Sequence, residues 1–380
     1  MRPSRPSPTA HRSSFSPTTS RSTRAPPCSA STTRTGWRSI SARSSAATYR
    51  PRTGAAEEVA LADLLIFGHL TIDDTVMPDG RTAMGSLGGN VVYAGIGAHL
   101  WIDDLVMVAR LGQGYPQHLL DRMAAAGLRL DGLVPSSHNA IRQWQLYDVE
   151  GGRRYVRLAS AGTYADLSPR SADVPDNLAH PRACHVAPMP LDIQAELVDW
   201  ARKRGATVTL DPHVDSVAGQ AAVWRELLPH VDAFLPSREE AQELLGEWPG
   251  AEAAARGLAG LGAAIVCLKL GSEGSLVYRA ADDWLWRADS GVSNPVDTTG
   301  CGDAFCGGFL AGWCESGDLR TAVLYGTVSA SFVASGFGAE HCLLRDHAAT
   351  SWLIRLCGGD AGGIGAPGPF RCDRVCAGRL

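Results

Sequence analysis

Short apolar runs alternate with amphipathic stretches along this chain, and few folds accommodate that alternation. Leu64 to Gly68, Leu105 to Ala109, His185 to Ala187, Thr207 to Leu210, Ala233 to Leu235 and Ala264 to Leu268 are strand candidates. Val91 to Trp101, Gln117 to Ala126, Ile193 to Arg204, Ala221 to Leu228, Arg238 to Leu245 and Leu319 to Ala334 carry apolar residues at helical spacing. Strands alternating with helices predict an α/β fold, a mostly parallel sheet with helices on both faces. In such sheets ligands bind beyond the carboxyl ends of the strands, so the chemistry is expected in the loops there.

The loop richest in such chemistry is NPVDTTGCGDAFCG, Asn294 to Gly307. Asn294 and Pro295 mark a turn, and Thr298 to Gly302 is small, polar and punctuated by glycine. Ala304, Phe305, Phe309, Leu310 and Trp313 then recur at helical spacing, while Gly307, Gly308 and Gly312 permit close approach of another element. A glycine loop leading into a helix offers unpaired N–H groups and the positive end of the helix dipole to a phosphate or an oxyanion. Asp303, at the helix start, has two readings. It caps the helix, or it accepts a proton from a nucleophilic hydroxyl beside the bound anion.

The stretch DTTGCGDAFCGGF resembles the C-terminal signature of the ribokinase-like (PfkB) family of carbohydrate kinases, Asp-Thr-x-Gly-Ala-Gly-Asp-x-Phe. It departs only at Cys301, where alanine is usual. The resemblance implies a ribokinase-like sheet with a small β-sheet lid, ATP and Mg²⁺ as cofactors, Asp303 as catalytic base, and Gly300, Cys301 and Gly302 as the anion hole. Cysteine is small enough to keep the loop's shape, and an exposed thiol there would be open to alkylation or oxidation.

Other pieces resemble the same family. Ile66 to Asp74 (IFGHLTIDD) reads as a buried strand running into a polar loop, and Gly85 to Tyr93 (GSLGGNVVY) as a glycine loop opening a helix. By resemblance Asp73, Gly88, Gly89 and Asn90 bind the sugar hydroxyls; Asp73 and Asp74 are adjacent, and the family spacing favours Asp73. After the strand Ala264 to Leu268, the turn Lys269, Leu270, Gly271, Ser272, Glu273, Gly274 resembles the segment lying against ATP, with Lys269, Gly271 and Gly274 as nucleotide-binding candidates. Ala330 to Gly338 resembles the helix and loop that wall the adenine pocket. Relatives carry an Asn-x-x-Glu motif linked to magnesium. Here Ser237 stands for the asparagine, and Glu240 is either the metal-linked carboxylate or a solvent-facing helix residue.

Arg142 to Val149 and Arg154 to Leu158, separated by a glycine turn, read as a hairpin. Together with the loop Thr71 to Ser86, segments near 71–86 and 140–160 resemble the lid, which excludes water during transfer. Trp144, Tyr147 and Tyr155 are placed for apolar contacts to substrate or to a second copy in a homodimer. The implied reaction is ATP-dependent phosphorylation of a hydroxyl on a sugar or sugar-like polyol. The alternatives are a nucleoside kinase with an aromatic slot in the lid, or a non-catalytic sugar- or nucleotide-binding regulator.

Composition bounds the rest. Residues 1–56 hold ten arginines and no Asp, Glu or Lys amid Ser, Thr, Pro and Ala, and we read them as a disordered extension, mis-started upstream in preference to a targeting segment. Residues 57–356 are read as the kinase domain and 357–380 as an unstructured tail. All 39 acidic residues lie beyond the extension, so the remainder is acidic, which argues against nucleic-acid binding. No apolar run reaches the ~20 residues of a membrane span. The ten cysteines are scattered without paired spacing and read as reduced thiols of a cytoplasmic protein. His213 reads as a loop residue and not as a ligand.

Overall fold

The computed structural model describes residues 63–149, 152–292 and 294–343. Readings of the two terminal extensions fall outside the described residues. In chain order the first strands are β1 (Leu64–Phe67), β2 (Thr71–Val76), β3 (Thr82–Gly88), β4 (Leu105–Gln113), β5 (Leu133–Asn139), β6 (Ile141–Tyr147) and β7 (Arg153–Arg157). The remainder are β8 (Ala183–Val186), β9 (Thr207–Leu210), β10 (Ala233–Phe234), β11 (Ile265–Lys269), β12 (Ser275–Arg279) and β13 (Trp284–Ala288). The helices are α1 (Asn90–His99), α2 (Gln117–Ala125), α3 (Tyr164–Leu167), α4 (Leu191–Lys203), α5 (Val214–Val217), α6 (Ala221–Leu227), α7 (Arg238–Leu245), α8 (Ala251–Gly260), α9 (Cys301–Ser316) and α10 (Leu319–Ala334).

Nine strands form one sheet in the order β13-β12-β11-β10-β9-β8-β1-β4-β5. It is parallel except at β12 and β13, which run antiparallel at one edge. β1 is buried on both faces and its residues divide between them. Leu65 and Phe67 pack with α4, α6, α7 and α8, whereas Leu64 and Ile66 pack with α1, α2 and α9. Continuous apolar strands are what a sheet covered on both sides requires. The expected α/β architecture with helices on both faces is the one observed.

A second sheet has four strands in the order β3-β2-β6-β7. Here the sequence reading needs correction. Thr71 to Asp74 and Gly85 to Gly88 are not loops but paired strands, with Thr71 opposite Gly88 and Asp73 opposite Ser86. Their glycines and polar residues look like turn chemistry, yet they alternate across a sheet with one polar face. Helix α8 and the hairpin β12–β13 were also absent from the sequence reading.

Helix α9 is held by glycine on two sides. A Cβ on Gly307 would lie 1.8 Å from the Ala94 carbonyl oxygen of α1, and one on Gly97 would lie 2.2 Å from that of Ala304. A Cβ on Gly308 would meet Ser329 Oγ of α10 at 2.3 Å. Backbone-to-backbone contact fixes where α9 begins. Replacing Gly307 by valine is therefore expected to force α1 and α9 apart at a cost of about 1–3 kcal/mol, read as a lower midpoint in urea unfolding; an unchanged midpoint would show that this contact does not set the helix position.

Candidate active site

The motifs converge along the carboxyl edge of the large sheet. Asp211 directly follows β9, β11 ends at Lys269, and Ser237, three residues beyond β10, forms a parallel bridge with Lys269. Above them the signature loop turns into α9. Gly300 is the N-cap, with φ 72°, and a Cβ there would sit 2.1 Å from the Tyr93 ring. Only glycine combines the left-handed backbone with that contact. Asp303 is the third residue of the helix and not its cap. The Cys301 amide turns back to the Thr298 carbonyl at 3.3 Å, so the donors the helix start offers an anion are those of Gly302 and Asp303.

Lys269 flanks that start: a Cβ on Gly302 would lie 3.6 Å from its Nζ. The ammonium pairs with Asp211 Oδ2 at 2.5 Å and approaches Cys306 Sγ at 3.7 Å. Burial works to lower the Lys269 pKa, but Asp211, Cys306 and Glu240 together outweigh it and keep the ammonium charged. Asp303 lies in the same field. Burial raises its carboxyl to about 6, against the pull of Lys269 and Arg153. Glu240 raises it further, so three carboxylates, Asp211, Glu240 and Asp303, share this corner with one lysine.

Ser237 and Glu240 form a capping box at the start of α7. The Ser237 hydroxyl accepts from the Glu240 amide at 3.2 Å, and the Ser237 amide donates to Glu240 Oε2 at 2.7 Å. Among the described residues no three His, Cys, Asp or Glu side chains form a metal cage. The turn after Lys269 places Gly271 at φ 61° and Gly274 at φ 82°, the latter where a Cβ would be 2.0 Å from the Ala288 carbonyl oxygen.

On the lid, strand alternation separates the two adjacent aspartates. Asp74 faces outward and is taken up by Arg142, at 2.7 and 3.0 Å, and by the Gly85 amide. Asp73 faces inward and accepts from Thr71 Oγ1 at 2.7 Å, Gln145 Nε2 at 2.6 Å and Gln143 Nε2 at 3.3 Å. Burial pushes its carboxyl up to about 6 in spite of these donors. A Cβ on Gly88 would collide with this carboxylate at 2.1 Å, and one on Gly89, at φ 106°, with the His69 carbonyl oxygen at the same distance. Asn90 opens α1 and clamps two strand ends, accepting from the His69 amide and donating to the Pro188 carbonyl, each at 2.7 Å. His69 itself is kept neutral by burial, at about 4, between Ser168 and Tyr164.

The lid reaches the signature loop through Gln145, which the sequence reading passed over, and through Tyr147, expected there only as an apolar contact. Gln145 Oε1 accepts from Thr299 Oγ1 at 3.0 Å, and Tyr147 Oη lies 2.6 Å from the same hydroxyl and donates to Asp297 at 3.0 Å. Asp297 also accepts from the amides of Thr299 and Gly338, tying the end of α10 to the loop. Period-two spacing of Gln143, Gln145 and Tyr147 is the signal that would have found them. The same alternation corrects the aromatic slot: Tyr147 and Tyr155 share the inner face, and Trp144 points to the outer one. His213 is the N-cap of α5, its Nδ1 accepting from the Asp215 amide.

A helix-start anion hole flanked by lysine, an adjacent carboxylate and a covering lid are the parts of a phosphotransferase that acts on a hydroxyl group. The chain belongs to the pfkB family of carbohydrate kinases, whose pattern matches residues 82–346. A cytidine kinase from Thermococcus kodakarensis is 26% identical over 280 residues, covering 73% of this chain and 98% of that protein. A ribokinase II from E. coli, solved with ATP and Mg²⁺, superposes with TM-score 0.64 at 17% identity, covering 78% of this chain and all of the other. A nucleoside kinase from Burkholderia thailandensis in complex with inosine gives 0.62 at 17% identity, over 78% and 99% of the two chains. These structures share the ribokinase-like fold. No helix among the described residues is long and apolar enough to cross a membrane.

Cys301 departs from the family pattern without becoming a reactive thiol. It is half-buried, its Sγ directed at the Asp297 carbonyl, and burial pushes its pKa up to about 12. The sensitivity that an exposed thiol would bring is therefore not expected here, because the thiolate is the reactive species. Iodoacetamide at about pH 8, followed by peptide mass mapping, is expected to leave Cys301 unmodified in the folded protein and to label it after denaturation. Labelling at the rate of a free thiol would mean that the loop opens readily.

Proposed function

We propose that this protein transfers the γ-phosphate of ATP to a hydroxyl of a sugar or sugar-like polyol, with Asp303 as the base. The observation that carries this reading is Asp303 beside the helix-start amides of Gly302 and its own residue, within the field of Lys269. The acceptor hydroxyl is held on the inner lid face at Asp73, above Gly88, Gly89 and Asn90. Asp303 takes its proton as the oxygen attacks the γ-phosphorus, the bond from that phosphorus to the β–γ bridging oxygen breaks and ADP leaves, and the amides with Lys269 stabilise the charge spread over the moving phosphoryl group. Glu240, with Asp211 and Asp303 in the same corner, would hold Mg²⁺ brought with ATP, which would neutralise phosphate charge there. Lys269, Gly271 and Gly274 flank the nucleotide. The hydrogen-bonded lid keeps water from competing with the acceptor.

A second reading, phosphorylation of a nucleoside, is favoured by Tyr147 and Tyr155 on the inner lid face, where a base can stack, and by the cytidine kinase and inosine-bound relatives. Pairing of two copies through the outer lid face, where Leu146 and Val156 are exposed, is part of the same proposal.

ATP consumption by the full chain with Mg²⁺, against sugars, polyols and nucleosides, tests the reading. Asp303→Asn is expected to lower kcat by at least about 10²-fold while nucleotide affinity stays similar; equal turnover would remove Asp303 from the mechanism. The pH dependence follows from burial. A base works deprotonated, and a pKa raised to about 6 moves loss of activity upward, so kcat/KM should fall as the pH drops through about 6 and not through 4. Asp73 titrates in the same range, so the limb is expected to be steeper than one proton and to become one-proton in Asp73→Asn. A limb centred near 4 would contradict both burials.

A further inference from the structure

One lid cation has no part in the mechanism above. Arg153 opens β7 directly opposite Tyr147, so it shares the inner face with Gln145, Gln143 and Asp73. Its guanidinium lies between two rings, 4.8 Å from the centroid of Tyr155 and 5.7 Å from that of Tyr147. Nη1 is 3.2 Å from Tyr147 Oη and 3.4 Å from Thr299 Oγ1, one residue before the N-cap of α9. Among the described residues no carboxylate lies within ion-pair distance of it, in contrast to Arg142, which is bound to Asp74 on the outer face.

A guanidinium oriented by rings and hydroxyls keeps its charge available. Its contacts to Thr299 and Tyr147 set it beside the signature loop on the lid face that carries Asp73, and its charge favours the ionised forms of Asp303, Cys301 and Asp73 alike. Lys269 meets the helix start from the sheet side. Arg153 meets the same loop from the lid. A phosphoryl group in transfer carries charge on three equatorial oxygens, more than a helix start and one lysine can contact from a single side. We propose that Arg153 is a catalytic residue, a lid-borne guanidinium that contacts the phosphoryl group in transfer and makes charge stabilisation conditional on the lid being shut. This rests on the phosphotransfer reading above.

The test uses the full chain, Arg153→Ala and Arg153→Lys, with ADP and ADP plus aluminium fluoride as calorimetric probes, aluminium fluoride standing for the planar phosphoryl group. Wild type is expected to bind ADP with aluminium fluoride at least about tenfold more tightly than ADP alone, and Arg153→Ala to lose that preference while binding ADP as before. With an acceptor that turns over, kcat of Arg153→Ala should fall about 10²-fold or more with both KM values within about threefold. Arg153→Lys should recover little, because a point ammonium cannot replace the planar fork, whereas millimolar guanidinium ion should restore part of the alanine variant's rate. Preference for aluminium fluoride retained in Arg153→Ala, or a loss confined to acceptor KM, would overturn the assignment, the latter by making Arg153 an acceptor-binding residue. Loss without guanidinium rescue, accompanied by faster hydrogen exchange across β6 and β7, would make it a latch and likewise overturn it. If wild type shows no preference for aluminium fluoride and no turnover, it is the phosphotransfer reading that fails.

Discussion

The arrangement of the site depends on one backbone contact, α9 against α1. Gly307 and Gly97 let the two helices touch carbonyl to Cα, and Tyr93 of α1 then lies flat on Gly300 at the end of the signature loop. The helix start is pinned from beneath before any side chain acts. Catalysis by fixed dipoles needs donors that do not reorganise as charge develops, and a helix held by backbone contact meets that demand better than one held by flexible side chains. α10 completes the clamp: Ser329 Oγ donates to the Gly97 carbonyl and accepts from Trp101 Nε1.

From that fixed point the electrostatics follow. Gathering Asp211, Asp303 and Glu240 near a single lysine is unfavourable for the protein alone, and burial drives the Asp211 and Asp303 pKa values upward. Such an arrangement persists where a ligand brings compensating charge. The capping box of Ser237 and Glu240 shows how a residue can serve the fold and the site together: the carboxylate that closes α7 is the one that raises Asp303. Serine in place of asparagine keeps the cap, since either side chain accepts from the third helical amide.

Much of this was legible in the sequence, though unevenly. β9, α7 and α10 fall on the residues their apolar spacing marks, because each is an ordinary two- or 3.6-residue pattern bounded by turn residues. The lid was harder. Its strands carry Gly85, Gly88, Asp73 and Asp74, which read as turn, and only pairing in a sheet gives them a period. Which of two adjacent aspartates faces inward is a question of register, and a one-residue shift would have exchanged them. The meeting of Asp211, Lys269 and Cys306 joins residues from three separate segments and has no local signal. Whether Cys301 is exposed had no local signal either, and burial decides thiol reactivity.

The lid's polar inner face also bears on what it selects. Asp73 is already satisfied by Thr71, Gln143 and Gln145, so on the function proposed above an acceptor entering beneath the lid would exchange amide donors for its own. A hydroxyl replaces an amide N–H with little net change in free energy, since hydrogen bonds are conserved in number. A ligand without hydroxyls at those positions leaves a buried carboxylate with fewer donors and pays the desolvation in full. On the function proposed above, discrimination for polyols would arise from the penalty on everything else, and Gln145, whose Oε1 accepts from Thr299, links Asp73 to the signature loop.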